Sequence, residues 1–226
     1  MTSTLDGTDT TLRAQIVLHG FARIPAPIAP VTTEDLAAGL GEPLDPWGDG
    51  LVQRLEPRDN GPPNTYSGLF GLGAFPLHTD LAHWPVPPRY MLLRCGKGYA
   101  DVPTLLLDGM EIVREMDADA LERALVRPRR RQSGELRLLH LWSPPKRDTG
   151  CLRWDPVFLQ PASVQGRRAF DALRDRLEVA TPTQAVMIEP GEAIVIDNWR
   201  MLHARPAIPA GRRDRYLQRV YLRSLH

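Results

Sequence analysis

Apolar residues in this chain fall mostly into short runs bounded by proline, glycine and polar turns. Ala14-Gln-Ile-Val-Leu-His-Gly20 reads as a first strand closed by a glycine turn. Pro25, Pro27 and Pro30 then exclude a helix. Thr32-Thr-Glu-Asp-Leu-Ala-Ala-Gly39 predicts a short helix behind a threonine cap. Strands are predicted over 51–56, 89–95, 104–108, 136–141, 193–196 and 217–222, with a strand and turn over 185–191. Met110, Val113, Met116, Leu121 and Leu125 fall largely on one side of a helix over 109–126, and 162–179 is a second helical stretch. Residues 1–12 are small and polar and read as a flexible tail, leaving 13–226 as a single domain. Many short strands with 22 prolines, 18 glycines and two or three helices predict a mainly β fold, a sandwich or jelly roll with peripheral helices.

Composition narrows the function classes. A chain of 226 residues builds one sizeable core. A net charge of +1 argues against a general nucleic-acid binder, and the basic run Arg127–Arg131, broken by Pro128, reads as a solvated turn. Cys95 and Cys151 are too few for a disulfide framework, which fits a reducing compartment. No basic start leads into an apolar run, and no stretch reaches the ~18 apolar residues of a membrane span. The expectation is a cytoplasmic protein without nucleic-acid or membrane partners; the sequence leaves the oligomeric state open.

The chemistry centres on His78-Thr-Asp80 within Phe75-Pro-Leu-His-Thr-Asp-Leu-Ala-His-Trp84. On a strand, side chains at i and i+2 share a face, so one imidazole and one carboxylate converge. A second histidine would complete a 2-His-1-carboxylate set, which leaves three positions open on one side of octahedral iron(II). His203 follows the apolar run Ala193-Ile-Val-Ile196, and Arg215 precedes the final apolar run. By parity Arg213, Arg215, Arg219 and Arg223 share a face opposite Tyr216, Val220 and Leu222, and alternation alone would put the arginines in solvent.

These segments together resemble the clavaminate synthase-like branch of the iron(II)- and 2-oxoglutarate-dependent oxygenases, related to taurine dioxygenase. The resemblance covers roughly 60–222. It is carried by His78-Thr-Asp80 before a proline-containing segment and an apolar strand, by Asp197-Asn-Trp-Arg-Met-Leu-His203, and by Arg215-Tyr-Leu-Gln218. It implies a double-stranded β-helix of the jelly-roll, cupin-like kind. It also implies that His78, Asp80 and His203 bind iron and are the catalytic set, and that Arg215 pairs with the distal carboxylate of 2-oxoglutarate. Thr104 sits where the family places a threonine on the cosubstrate, although the usual local glycines are absent. Arg153-Trp-Asp155 resembles a segment beside the substrate in amino-acid-oxidising members. Arg153, Asp155 and Arg219 are thereby candidate contacts for an amino acid, guanidinium to carboxylate and Asp155 to ammonium. An ion pair between Arg153 and Asp155 that only braces a loop is the alternative. The implied reaction consumes dioxygen, releases succinate and carbon dioxide, and oxidises an unactivated C–H bond, most simply by hydroxylation. Related halogenases lack the carboxylate that Asp80 supplies, which argues against halogenation.

Other residues carry less. His83 is expected near the rim, Arg205 is expected to brace the surroundings of His203, and Trp142, Trp154 and Trp199 read as core. Two other functions stay open on the same residues: a cupin-like binding protein with a vestigial site, and a zinc-dependent hydrolase using His78, Asp80 and His203.

Overall fold

The computed structural model describes residues 6–130, 135–145 and 150–226. The chain opens with α1 (Asp6–His19), β1 (Phe21–Ile24), α2 (Thr33–Leu40), β2 (Gly41–Leu44) and β3 (Gln53–Leu55). Next come α3 (Tyr66–Phe70), β4 (Phe75–His78), β5 (Tyr90–Lys97) and β6 (Thr104–Asp108). Two helices, α4 (Gly109–Glu115) and α5 (Ala118–Arg123), precede the short strands β7 (Leu125–Pro128), β8 (Leu139–His140), β9 (Trp142–Ser143), β10 (Cys151–Leu152) and β11 (Leu159–Pro161). The last part holds α6 (Val164–Glu178), β12 (Thr183–Ala185), β13 (Ala193–Asp197), β14 (Met201–Arg205) and β15 (Tyr216–Leu225).

Two antiparallel sheets carry the fold. One has the order β1-β13-β5-β15-β2, with β3 also paired to β15; the other has the order β12-β6-β14-β4. Met91, Leu93, Ile194, Ile196, Leu217 and Tyr221 of the first sheet pack with Leu106, Ala185 and Met201 of the second, so the inner faces meet. The outer face of the first sheet, with Leu92, Val195, Val220 and Leu222, is covered by Leu12 and Ile16 of α1 and Ala37 of α2. The outer face of the second, with Leu107 and Leu202, packs against residues from α4, α5 and α6. Alternation along each strand therefore sends one residue set between the sheets and the other under the helices.

Several expectations from the sequence are corrected. The strand expected over 14–20 is helical. Leu12 and Ile16 are buried four residues apart while Val17 and Leu18 are exposed, so helical spacing wins over the short apolar run. Gly20, at φ 78°, ends the helix and donates to the Ile16 carbonyl at 2.8 Å. This helix also overlaps the expected tail over 1–12, of which residues 1–5 lie outside the described residues. The helix expected over 109–126 breaks at Met116, because the Asp117 carboxylate caps a new turn by accepting from Ala120 N–H; 125–128 then becomes strand. Of the strand expected over 136–141, only Leu139–His140 forms in that stretch. Arg127 of the basic run belongs to β7, and Arg131 lies outside the described residues. Among the described residues no helix is long and apolar enough to cross a membrane.

Candidate metal and cosubstrate centre

The two histidines meet because their strands pair. His78, the last residue of β4, stands directly across from His203 on β14. Opposed residues in an antiparallel pair point to the same face with Cα atoms about 5 Å apart. Asp80 does not share a strand with His78, as the i, i+2 argument assumed. β4 stops at His78, and Asp80 lies in the turn that follows. Leu81 then takes a left-handed backbone, φ 54°, which bends the chain sharply past the carboxylate. Asp80 Oδ1 lies 3.5 Å from both His78 Nε2 and His203 Nε2. One ligand atom from each residue falls within 4.8 Å of the others. Two imidazoles and one carboxylate converging through single atoms suit a first-row divalent ion, so the donor set fits iron(II).

Backbone locks hold this turn. Asn198 Oδ1 accepts from Asp80 N–H at 2.7 Å, while its Nδ2 donates to the carbonyls of Asp80 and Pro88. Arg200 grips the Asp108 carboxylate and donates to the Val17 and Leu18 carbonyls. The Asp197-Asn-Trp-Arg stretch is thus a structural clamp, and His203 lies just beyond it. Thr79 joins the site to a second segment, donating N–H to the Trp154 carbonyl at 2.8 Å and accepting from Trp154 N–H at 3.1 Å. That exchange brings Asp155 beside the metal ligands.

The outer oxygen of Asp80 is also engaged. Oδ2 accepts from Arg219 Nη1 and from the Tyr221 hydroxyl, both at 2.8 Å. Burial pulls the Asp80 carboxyl upward, but Arg219 first and then His203 outweigh it and hold the carboxyl well below the usual carboxylate range. Arg219 also donates Nε to Gln53 Oε1 at 2.9 Å. It is therefore a partner of the Asp80 carboxylate rather than a free guanidinium at the mouth. His78 presents Nε2 because its Nδ1 bonds the Pro76 carbonyl at 2.9 Å, whereas His203 Nδ1 is buried without a partner.

A cavity of about 910 Å³ opens over these groups. Arg215 and Thr104 both line it and are buried. Arg215 sits just ahead of β15, and its Nε has no hydrogen-bond partner. Arg205 lines the same wall, where burial and then the neighbouring Arg215 push its guanidinium down to about 10. Its Nη2 donates to the Gly71 and Gly73 carbonyls, not to the surroundings of His203. Arg213 and Arg223 face outward, toward Asp59 and Glu42.

Asp155 and Arg153 part company. Asp155 lines the cavity, and its Oδ1 accepts from the Tyr66 hydroxyl, Val157 N–H and Phe158 N–H. Burial raises its carboxyl above the usual range. Arg153 lies outside the cavity wall and donates to the carbonyls of Ala82, Trp84 and Pro85, so it is not placed to touch a ligand. The braced loop is real, but carbonyls brace it instead of Asp155. Tyr66 is the cavity residue that sequence reasoning missed. It stacks on His78 with ring centroids 4.2 Å apart and planes 21° from parallel. The signal was Thr65, whose hydroxyl caps α3 by accepting from Gly68 N–H. His83, Arg129 and Arg130 line the cavity, and His83 Nδ1 has no partner among the described residues.

The chain was compared with known families and solved structures. Residues 2–221 match the family described as taurine catabolism dioxygenase TauD, TfdA family. The non-haem iron oxygenase OrfP, solved with iron, succinate and (3S)-hydroxy-L-arginine, is 26% identical, with 96% of this chain and 79% of that one covered and a TM-score of 0.71. An asparagine oxygenase solved with Fe(II), (2S,3S)-3-hydroxyasparagine and succinate is 18% identical, with 96% and 79% covered and a TM-score of 0.69. PvcB from Pseudomonas aeruginosa is 19% identical, with 96% and 81% covered and a TM-score of 0.67.

Proposed function

The chain belongs to the TauD, TfdA family and is an iron(II)- and 2-oxoglutarate-dependent oxygenase, and we propose that it hydroxylates an amino acid or a small amino-acid-derived molecule. The two facing sheets are read as a double-stranded β-helix with the site at its mouth. His78 and His203 hold the iron through Nε2 and Asp80 through Oδ1. Arg215 receives the distal carboxylate of 2-oxoglutarate, with Thr104 beside it. A carboxylate entering a largely apolar cavity needs such a cation, since leaving it unpaired costs several kcal/mol. Bound iron, 2-oxoglutarate and dioxygen supply the oxidant for an unactivated C–H bond, with succinate and carbon dioxide released.

The chain's own residues choose what is oxidised. Asp155 faces the cavity with Oδ1 satisfied three times over, and none of those bonds uses Oδ2. That oxygen suits the ammonium or another cationic group of the substrate. Tyr66, on the same cavity wall, fixes the Asp155 carboxylate through its hydroxyl, and Leu81, Met91 and Leu93 make that wall apolar. Hydroxylation is favoured over halogenation because Asp80 occupies the position a halide would need.

The observation that carries the reading is the convergence of Asp80 Oδ1 on both imidazoles at 3.5 Å beneath the cavity. The test restores iron anaerobically to metal-free protein and measures succinate with and without a panel of amino acids. Release that needs both oxygen and 2-oxoglutarate and is stimulated by an amino acid is expected. Hydrolysis with zinc and no cosubstrate would favour the hydrolase, and stimulation by no amino acid would move the substrate to another class.

A further inference from the structure

We propose that two arginines, not one, seat the distal carboxylate of the cosubstrate, with the Arg205 guanidinium supplying the second cationic donor. The inference rests on the reading above that Arg215 receives that carboxylate. Arg205 follows His203 by two residues on β14; the pairing with β4 shifts register between them, and both side chains line the cavity. Two residues advance a strand by about 6.6 Å. That step suits the spacer between a metal-chelating keto acid and its far carboxylate. The pairing of β14 with β6 runs from Met201↔Asp108 to Ala204↔Leu105, and one further step sets Arg205 beside Thr104. Arg205, Thr104 and Arg215 therefore share one end of the cavity.

The side chain is held but not satisfied. Its Nη2 donates to the Gly71 carbonyl at 2.9 Å and the Gly73 carbonyl at 2.7 Å, and its guanidinium carbon sits 3.8 Å from the Phe75 ring centroid. These contacts fix the plane of the group. None of these contacts uses Nη1, and Nε of both Arg205 and Arg215 is buried without a hydrogen-bond partner among the described residues. A brace for two glycine carbonyls does not need a second unpaired cation next to it. Two neighbouring guanidinium groups repel each other, and one anion between them relieves that repulsion. Cosubstrate bound this way would also be tied to the Gly71–Gly73 carbonyls that lead into β4 and His78.

The experiment uses protein loaded with redox-inert zinc(II) and titrated calorimetrically with 2-oxoglutarate, and separately with 2-oxovalerate, which chelates alike but lacks the distal carboxylate. Arg205→Met is expected to weaken 2-oxoglutarate by about tenfold or more, as loss of a charged hydrogen bond does. The affinity for 2-oxovalerate and the zinc stoichiometry are expected to stay at the wild-type level. Arg205→Gln, which keeps a planar donor for the two carbonyls but not the charge, is expected to show the same selective loss and guards against a folding defect in the first variant. Equal weakening of both keto acids, or no weakening of 2-oxoglutarate, overturns the proposal. If Arg215→Met weakens 2-oxoglutarate and the Arg205 variants do not, only this inference falls. If Arg215→Met leaves 2-oxoglutarate binding intact, the reading beneath it falls as well.

Discussion

Arg219 donates from Nη1 to Oδ2 of Asp80 at 2.8 Å, which leaves Oδ1 directed at the two imidazoles. Tyr221 holds the same outer oxygen from the same strand, two residues on. The carboxylate is thereby oriented with one oxygen held by Arg219 and Tyr221 and the other toward the imidazoles, as a one-oxygen ligand would be. Partners of this kind typically contribute tenfold or more to metal affinity. Arg219→Gln and Tyr221→Phe are expected to weaken iron(II) binding by about that factor, measured anaerobically against a competing chelator. Unchanged affinity in both would mean that the backbone lock from Asn198 alone positions Asp80.

Asp80→Ala and His203→Ala are expected to differ in stability although each is expected to remove metal and turnover. Asp80→Ala strands the Arg219 guanidinium, whose side chain is 19% exposed, and leaves the Tyr221 hydroxyl without an acceptor. Allowing for that exposure, roughly 2 kcal/mol or more should be lost. His203→Ala removes a ring whose Nδ1 had no partner and should cost less. Thermal melting of metal-free variants checks the order. The acid limb adds a second check. The native carboxyl of Asp80 lies below its unfolded value, so its contribution is full above about pH 4 and is lost as pH falls through the native value. Asp80→Asn should flatten that part of the stability profile.

Arg153 offers a contrast between a braced loop and a binding group. Its three acceptors are backbone carbonyls of the loop that follows Asp80. Arg153→Met should lower stability by about 2–3 kcal/mol, in the range for breaking buried charge-assisted hydrogen bonds. Amino-acid affinity in the surviving folded protein should be nearly unchanged. Chemical denaturation and substrate-stimulated succinate release separate the two effects. A selective loss of substrate affinity at unaltered stability would return Arg153 to the cavity.

The ligand types were legible in the sequence, but the geometry that joins them was not. His78, Asp80 and His203 stood out because a His-x-Asp pair and a later histidine form a recognisable donor set. Their convergence depends instead on a cross-strand pair and a turn locked by Asn198, long-range relations that local spacing cannot encode. The arginine face of β15 reads as solvent-facing by alternation, and only the carboxylate it meets explains why Arg219 points inward. Strands such as β5, β6 and β13 were visible because apolar residues run continuously where both faces are covered. The first helix is hard to read from sequence because, among its described side chains, Leu12 and Ile16 face the sheet while the exposed Val17 and Leu18 give the stretch the look of a strand. Tyr66 was invisible because a lone tyrosine in a five-residue helix has no periodic pattern, and its partners His78 and Asp155 are distant in sequence.

Asp155 yields the prediction that bears on the substrate. Burial raises its carboxyl above the ordinary range. A raised native value stabilises the fold in acid, where the group is protonated, and that contribution is lost as pH rises through the native value. At neutral pH the charge is therefore a cost in the unliganded protein. Asp155→Asn keeps an oxygen to accept from Tyr66, Val157 and Phe158 while removing the charge. The metal-free variant is expected to melt about 2 °C or more above wild type at pH 7, the scale of about 1 kcal/mol in a chain of this size. The same change should cut substrate-stimulated succinate release by about tenfold or more, because a cationic group loses its counter-charge and meets an amide donor. Slow release without substrate should persist, since neither the iron ligands nor Arg215 is altered. Tyr66→Phe should fall between, keeping the stack on His78 but freeing one of the three bonds that aim the carboxylate. If Asp155→Asn kept full amino-acid stimulation, the cation would have to find another acceptor. Besides Asp80, which is committed to Arg219 and the imidazoles, Glu56 is the remaining carboxylate on the cavity wall among the described residues, and Arg54 already engages it.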